Sequence, residues 1–143
     1  MEPSLDHTLS LLALTPATLN ALLRGLPENW TRATEGDNTW SAFDVVGHLI
    51  HAERADWIPR ALVILRYGET QPFAPFDREG HTREIQGKSL AQLLDEFARV
   101  RSENLIELRA WKLQPADLAK RGRHPSLGSV TLSQLLPPGQ VTT

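Results

Sequence analysis

WSAFDVVGHLIHAERADWIPR, residues 40–60, is the stretch on which the fold turns. It opens on a helix start. Ser41 is placed to act as N-cap, its hydroxyl accepting from the backbone N–H of Asp44, while the Asp44 carboxylate reaches back toward the cap. At about 100° per residue, Ser41, Asp44, His48, His51, Ala52, Ala55 and, farther on, Leu62 share one face, and Val46, Ile50, Trp57 and Ile64 lie opposite. A helix that is apolar on two sides, with a polar strip holding two histidines, is enclosed by neighbours. It is therefore central, and its neighbours supply the rest of any site. The pattern predicts a single helix from Ala42 to about Tyr67, ended by Gly68. Pro59 should bend it, because proline lacks the N–H and crowds the preceding turn.

Working outward, Leu5, Leu9, Leu12, Leu19, Leu23 and Leu26 keep one helical phase across Thr15-Pro16. This predicts one helix, kinked or briefly interrupted there and ended by Gly25 and Pro27. Glu28 to Thr39 is polar, holds Gly36 and Asn38, and reads as a connection. On the other side, Glu69 to Lys88 carries four glycines and prolines (Pro72, Pro75, Gly80, Gly87) around Phe73 and Phe76, without strand alternation. A connection that long in a small domain is a crossover packed by its own aromatics or a functional loop.

Ser89 and Gln92 form a capping box that opens the next helix. Its buried stripe is Leu90, Leu93, Leu94, Phe97, Val100, Leu105, Leu108 and Trp111, and Asn104 falls within that stripe, where it needs a hydrogen-bond partner. Pro115 closes the helix and Ala116 to Ser129 reads as loop. Thr131 and Gln134 make a third capping box before Leu135 and Leu136, yet Pro137-Pro138-Gly139 follows within about one and a half turns. The fold class is all-α: three long amphipathic helices and a stub, a bundle lacking most of one member.

The chain has 143 residues, 41% hydrophobic and 22% charged, which suits one globular domain spanning 1–143. With no cysteine, disulfides, thiolate metal sites and a cysteine nucleophile are excluded. A net charge of −2 without a basic run argues against a nucleic-acid partner. No run approaches the roughly 20 apolar residues of a membrane span. The start lacks the charged and apolar regions of a leader, so a cytoplasmic protein is expected.

Trp40-Ser41, the run Val45-Val46-Gly47-His48-Leu49, the following Glu53, and Leu127-Gly128-Ser129-Val130-Thr131-Leu132 resemble the DinB superfamily of DinB-like and YfiT-like metal-dependent proteins. The resemblance runs from the first helix to Leu136. It implies a four-helix bundle with a long crossover between its second and third helices. Its members include thiol-dependent S-transferases and isomerases that bind a divalent metal, commonly zinc or nickel, through three histidines. His48 matches the one on the second helix. The other two, an H-x-x-x-H on the fourth helix, have no counterpart here, and 137–143 reads as an unrelated tail. The resemblance thus implies a protein like the metal-dependent thiol S-transferases and hydrolases, with a small thiol or small-molecule substrate, but short of two ligands. The alternative is a catalytically inactive truncated helical module acting through dimerisation or protein interaction.

Asp44, His48 and His51 lie within about 60° of one another on one helical face, and all three are donors that a borderline metal accepts. Asp44 is needed for the cap, and one straight helix surrounds a metal poorly, so stoichiometric zinc or nickel is not expected. His124 reads as a turn residue, and His7 and His81 as exposed. Glu53, Arg54, Asp56 and Arg60 read as a solvated face with intrahelical pairs, and the four tryptophans as core and seam residues. A bundle without its fourth helix would leave Leu94, Phe97, Leu105 and Leu108 facing water. From this a homodimer is expected, each copy covering the other's groove.

Overall fold

The computed structural model describes residues 5–36 and 39–136. The tail read at 137–143 and Asn38 of the connection lie outside them. In chain order the elements are α1 (Leu5–Leu23), α2 (Glu28–Thr31), α3 (Ala42–Ala55), α4 (Trp57–Tyr67), α5 (His81–Ile85), α6 (Leu90–Ala110), α7 (Pro115–Leu118), β1 (Arg121–His124), β2 (Gly128–Thr131) and α8 (Leu132–Leu135). All three capping boxes form as read. Ser41, Ser89 and Thr131 accept from the backbone N–H three residues on, and Asp44, Gln92 and Gln134 return the bond. Among the described residues no helix is long and apolar enough to cross a membrane.

The two prolines act differently from one another. Pro16 lies inside an unbroken α1. Its missing N–H leaves the Leu12 carbonyl without its usual partner, and the Arg101 guanidinium of α6 donates to that carbonyl at 2.9 Å. The expected kink or interruption is thus averted by a tertiary hydrogen bond. Pro59 does break its helix, but three residues earlier than its own position. The proline ring crowds the carbonyl four residues back, at Ala55, and Asp56 leaves helical geometry with φ −104 and ψ −87. The long helix predicted over 42–67 is therefore two helices, α3 and α4.

Two apolar clusters form the core. Leu105 and Leu108 pack with Leu9, Leu12, Trp57, Ala61, Ile64, Leu132 and Leu135. Leu94 and Phe97 pack with Phe43, Val46, Ile50 and Leu93, flanked by Leu19 and Leu23. The expectation that Leu94, Phe97, Leu105 and Leu108 face water is corrected: all four are at most 3% exposed. The reason is that α1 folds against α6 and α8 against α4, closing the groove from both ends. Exposed leucines do occur elsewhere, among them Leu11, Leu14 and Leu22 on the outer face of α1.

The segment read as loop after Pro115 holds α7 and a hairpin. β1 and β2 pair antiparallel with Arg121 opposite Thr131 and His124 opposite Gly128. Strands of four residues are too short to show a clear alternation. The hairpin lies on α4 because Gly122 has no side chain. A Cβ there would sit 2.6 Å from Ile64 and 2.9 Å from the Phe73 ring.

Candidate functional site

The site begins where α5 crosses α3. Position 47 must be small, because a Cβ on Gly47 would meet the Ile85 Cγ2 methyl and lie 3.4 Å from the His81 carbonyl oxygen. Gly80 is equally close to the His51 ring. The His51 Nε2–H donates to the Asp77 carbonyl at 2.9 Å, tying the connecting segment to α3. Arg54 bridges Glu84 of α5 and Glu96 of α6, the second at 2.6 Å, and Lys88 also holds Glu96 at 2.7 Å. Three helices are clamped around one crossing.

This crossing carries His81 up to the histidine strip. His81 is 4% exposed, so its reading as an exposed residue is corrected. Trp40 covers both rings, with centroids 4.9 Å from His48 and 4.6 Å from His81. Phe76 stands edge-on to His48 at 5.8 Å and tilted against His51 at 4.7 Å. Shut between Trp40 and Phe76, His48 has a buried Nδ1 with no hydrogen-bond partner. Burial, and then the nearby His51 and His81, push the His48 imidazole below its ordinary value. It is neutral at pH 7, the form in which a ring nitrogen can give a lone pair.

A metal tests this arrangement severely. The Asp44 carboxylate accepts from both the N–H and the hydroxyl of Ser41 at 3.0 Å. Its other oxygen lies 3.9 Å from His81 Nε2, too far for a hydrogen bond. The His51 Nε2 is occupied by Asp77. Among the described residues no three His, Asp or Glu side chains converge on one point. The donors present therefore do not fit a closed three-ligand centre, although His48 itself is suited to a metal.

Of the charged residues read as a solvated face, Arg54 is exposed, and Asp56 with Arg60 is an intrahelical pair as read. Glu53, Asp56 and Arg60 are buried, however, and for these the reading is corrected. Glu53 is 2% exposed and pairs with Arg101, while Asn104 donates to the Glu53 carboxylate and carbonyl, each at 2.8 Å. Asn104 thus has the partner that its place in the stripe required. The sequence did carry a signal for Arg101, which is in phase with Phe97, Leu105 and Leu108. Asp56 and Arg60 are also buried and pair at 3.2 Å. The reason is position: both pairs lie on the side of the helix that α6 and the hairpin cover. Near Arg60, the His124 Nδ1 accepts from the N–H groups of Ser126 and Leu127, a turn role as read. Of the tryptophans, Trp57 is core and Trp111 half-buried, whereas Trp30 and Trp40 are exposed.

The sequence model of the DinB superfamily matches residues 11–136, most of the chain. The protein belongs to the DinB superfamily. Among solved structures it is similar to YfiT from Bacillus subtilis, described as a probable metal-dependent hydrolase with an unusual four-helix bundle topology. The TM-score is 0.77 at 19% identity, over 97% of this chain and 79% of that one. A likeness at that identity shows the fold, here a mostly helical bundle with one small hairpin. No curated protein sequence matches the chain. In this DinB-superfamily protein the first part of the resemblance, Trp40 to His48, meets at one place: Ser41 caps α3, Gly47 admits α5, and Trp40 covers His48.

Proposed function

We propose that this protein belongs to the metal-dependent, thiol-transferring or hydrolytic class of its superfamily, working at the mouth formed by Trp40, His48, Phe76 and His81. His48 is the metal-directed side chain of that mouth. The observation that carries this reading is the neutral His48 imidazole, walled by two aromatic rings, with one nitrogen shielded and unpartnered. Superfamily membership and the description of YfiT support it. In the same reading, the connection from α4 to α6 corresponds to the crossover of the family, and α8 to the start of its fourth helix.

Because the described donors do not fit a closed centre, no chemical step is assigned to a metal. What the residues themselves do is narrower. Trp40 and Phe76 shield the His48 Nδ1 from water and present an apolar wall to a small thiol or other small molecule. Zinc or nickel is held weakly, with His51 and Asp44 at most as auxiliaries, since each is engaged elsewhere. That engagement also favours the second reading, an inert helical module.

Zinc and nickel titrations of the untagged chain, followed by calorimetry, separate the two. Saturable binding that is micromolar or weaker, absent in His48→Ala, is the expected result. Binding indifferent to His48→Ala would remove His48 from the site and leave the module reading. Near one metal per chain retained through dialysis, and lost in His48→Ala, would overturn the weak-site part and require further ligands.

A further inference from the structure

A groove of about 460 Å³ runs along the outer surface between α1 and α6. Ala13 and Ala17 of α1 line one wall, and Asp95, Ala98, Ser102, Ile106 and Arg109 of α6 lie along the other. The α6 residues are spaced by three or four and so share one face of the helix. Ile106 is 64% exposed on that face, a β-branched apolar side chain with no cover.

The order of these residues is symmetric about Ser102. Asp95 and Arg109 are equidistant from it along the chain, and so are Ala98 and Ile106. When two identical helices pack antiparallel about a two-fold axis, each residue meets the one equally far beyond the axis on the other copy. An axis at Ser102 therefore sets Asp95 against the partner's Arg109, and Ile106 against the partner's Ala98. Each contact occurs twice, as an isologous interface requires. The small Ala98 and Ser102 side chains allow the helices to approach to about 8 Å.

We propose that α6 docks antiparallel on α6 of a second copy about this axis. Each Ile106 seats in the partner's groove, over Ala98 and beside Ala13 and Ala17, and an Asp95–Arg109 ion pair closes each end. Within one chain Asp95 already accepts from Arg24 at 2.5 Å. A carboxylate has lone pairs for both cations, and an exposed intrachain pair opposes the new one only slightly. The two end pairs favour this register, since an axis displaced by one turn, to Ala98 or to Ile106, no longer sets Asp95 opposite Arg109 at either end.

The chain has no cysteine, so a single introduced thiol reports its own position. Ser102→Cys under mild copper-phenanthroline oxidation should give mainly disulfide-linked dimer at micromolar concentration. Glu103→Cys, exposed on the adjacent side of α6, should stay monomeric on the gel. In sedimentation, Asp95→Arg alone and Arg109→Asp alone each set like charges at both ends and should raise the dimer Kd by at least about tenfold. Mixed together, these two variants restore opposite charges at both ends, and a heterodimer within about threefold of the native Kd should form. A native chain monomeric throughout the micromolar range would overturn the proposal. So would equal cross-linking through Glu103→Cys, or a mixture no tighter than its components. Circular-dichroism melts of each variant check that it is folded, and the cross-linking comparison stands independently of the charge variants.

Discussion

Arg101→Met removes a side chain that links α1, α3 and α6. In the native protein Arg101 is 6% exposed and pairs with Glu53, itself 2% exposed, so the small value typical of surface ion pairs does not apply. Breaking a buried pair by removing one partner costs about 3–5 kcal/mol, because the other charge stays behind in a poor solvent. Two features place this case near the middle, at about 4 kcal/mol. Asn104 still donates to Glu53 at 2.8 Å, which softens the loss. The Leu12 carbonyl, already denied its helical partner by Pro16, loses the Arg101 bond as well, which adds to it. With a urea slope of about 2 kcal/mol/M, the midpoint should fall by about 2 M. Adding Glu53→Gln removes the stranded charge and should recover at least about 2 kcal/mol. Pro16→Ala returns an N–H to the Leu12 carbonyl, so Arg101→Met should cost about 1 kcal/mol less in that background. A midpoint shift below about 0.5 M would refute the buried-pair argument. An identical cost in the two Pro16 backgrounds would refute the role given to the Leu12 carbonyl.

Ser41→Ala should cost about 1 kcal/mol in a thermal or urea melt, since the Asp44 N–H loses an acceptor at 3.1 Å; an unchanged melt would detach the cap from the stability of α3. Gly47→Ala should lower stability by about 1–2 kcal/mol, because the new methyl meets Ile85; if the better helix propensity of alanine prevailed instead, the melting temperature would rise. Burial first, and then Arg60, lower the His124 pKa in the folded state. Between the unfolded value of about 6.5 and that lowered value, the unfolded chain holds more protons, so stability falls as pH falls through the window. His124→Asn keeps an acceptor for the Ser126 and Leu127 N–H groups and should flatten part of this slope in urea midpoints taken from about pH 8 to about pH 5. An unchanged slope would mean that His124 does not contribute.

Sequence alone determined the helices with explicit start signals. Ser41, Ser89 and Thr131 each precede a partner three residues on, and this chemistry is local, acting through one turn of backbone. The family was legible for a related reason: Trp40-Ser41 and Gly47-His48-Leu49 lie on one continuous helix start, where spacing in sequence is spacing in space. The need of Asn104 for a partner also followed from phase alone. Tertiary structure decided everything that depended on a second element. Whether Pro16 interrupts its helix was settled by Arg101, most of the chain away, and His81 became part of the histidine cluster only because Gly47 and Gly80 let α5 lie against α3. The charged run from Glu53 to Arg60 has the same local pattern whether it meets water or protein. Its burial was set by α6 and the hairpin, and no periodicity within a helix encodes what will be packed against it.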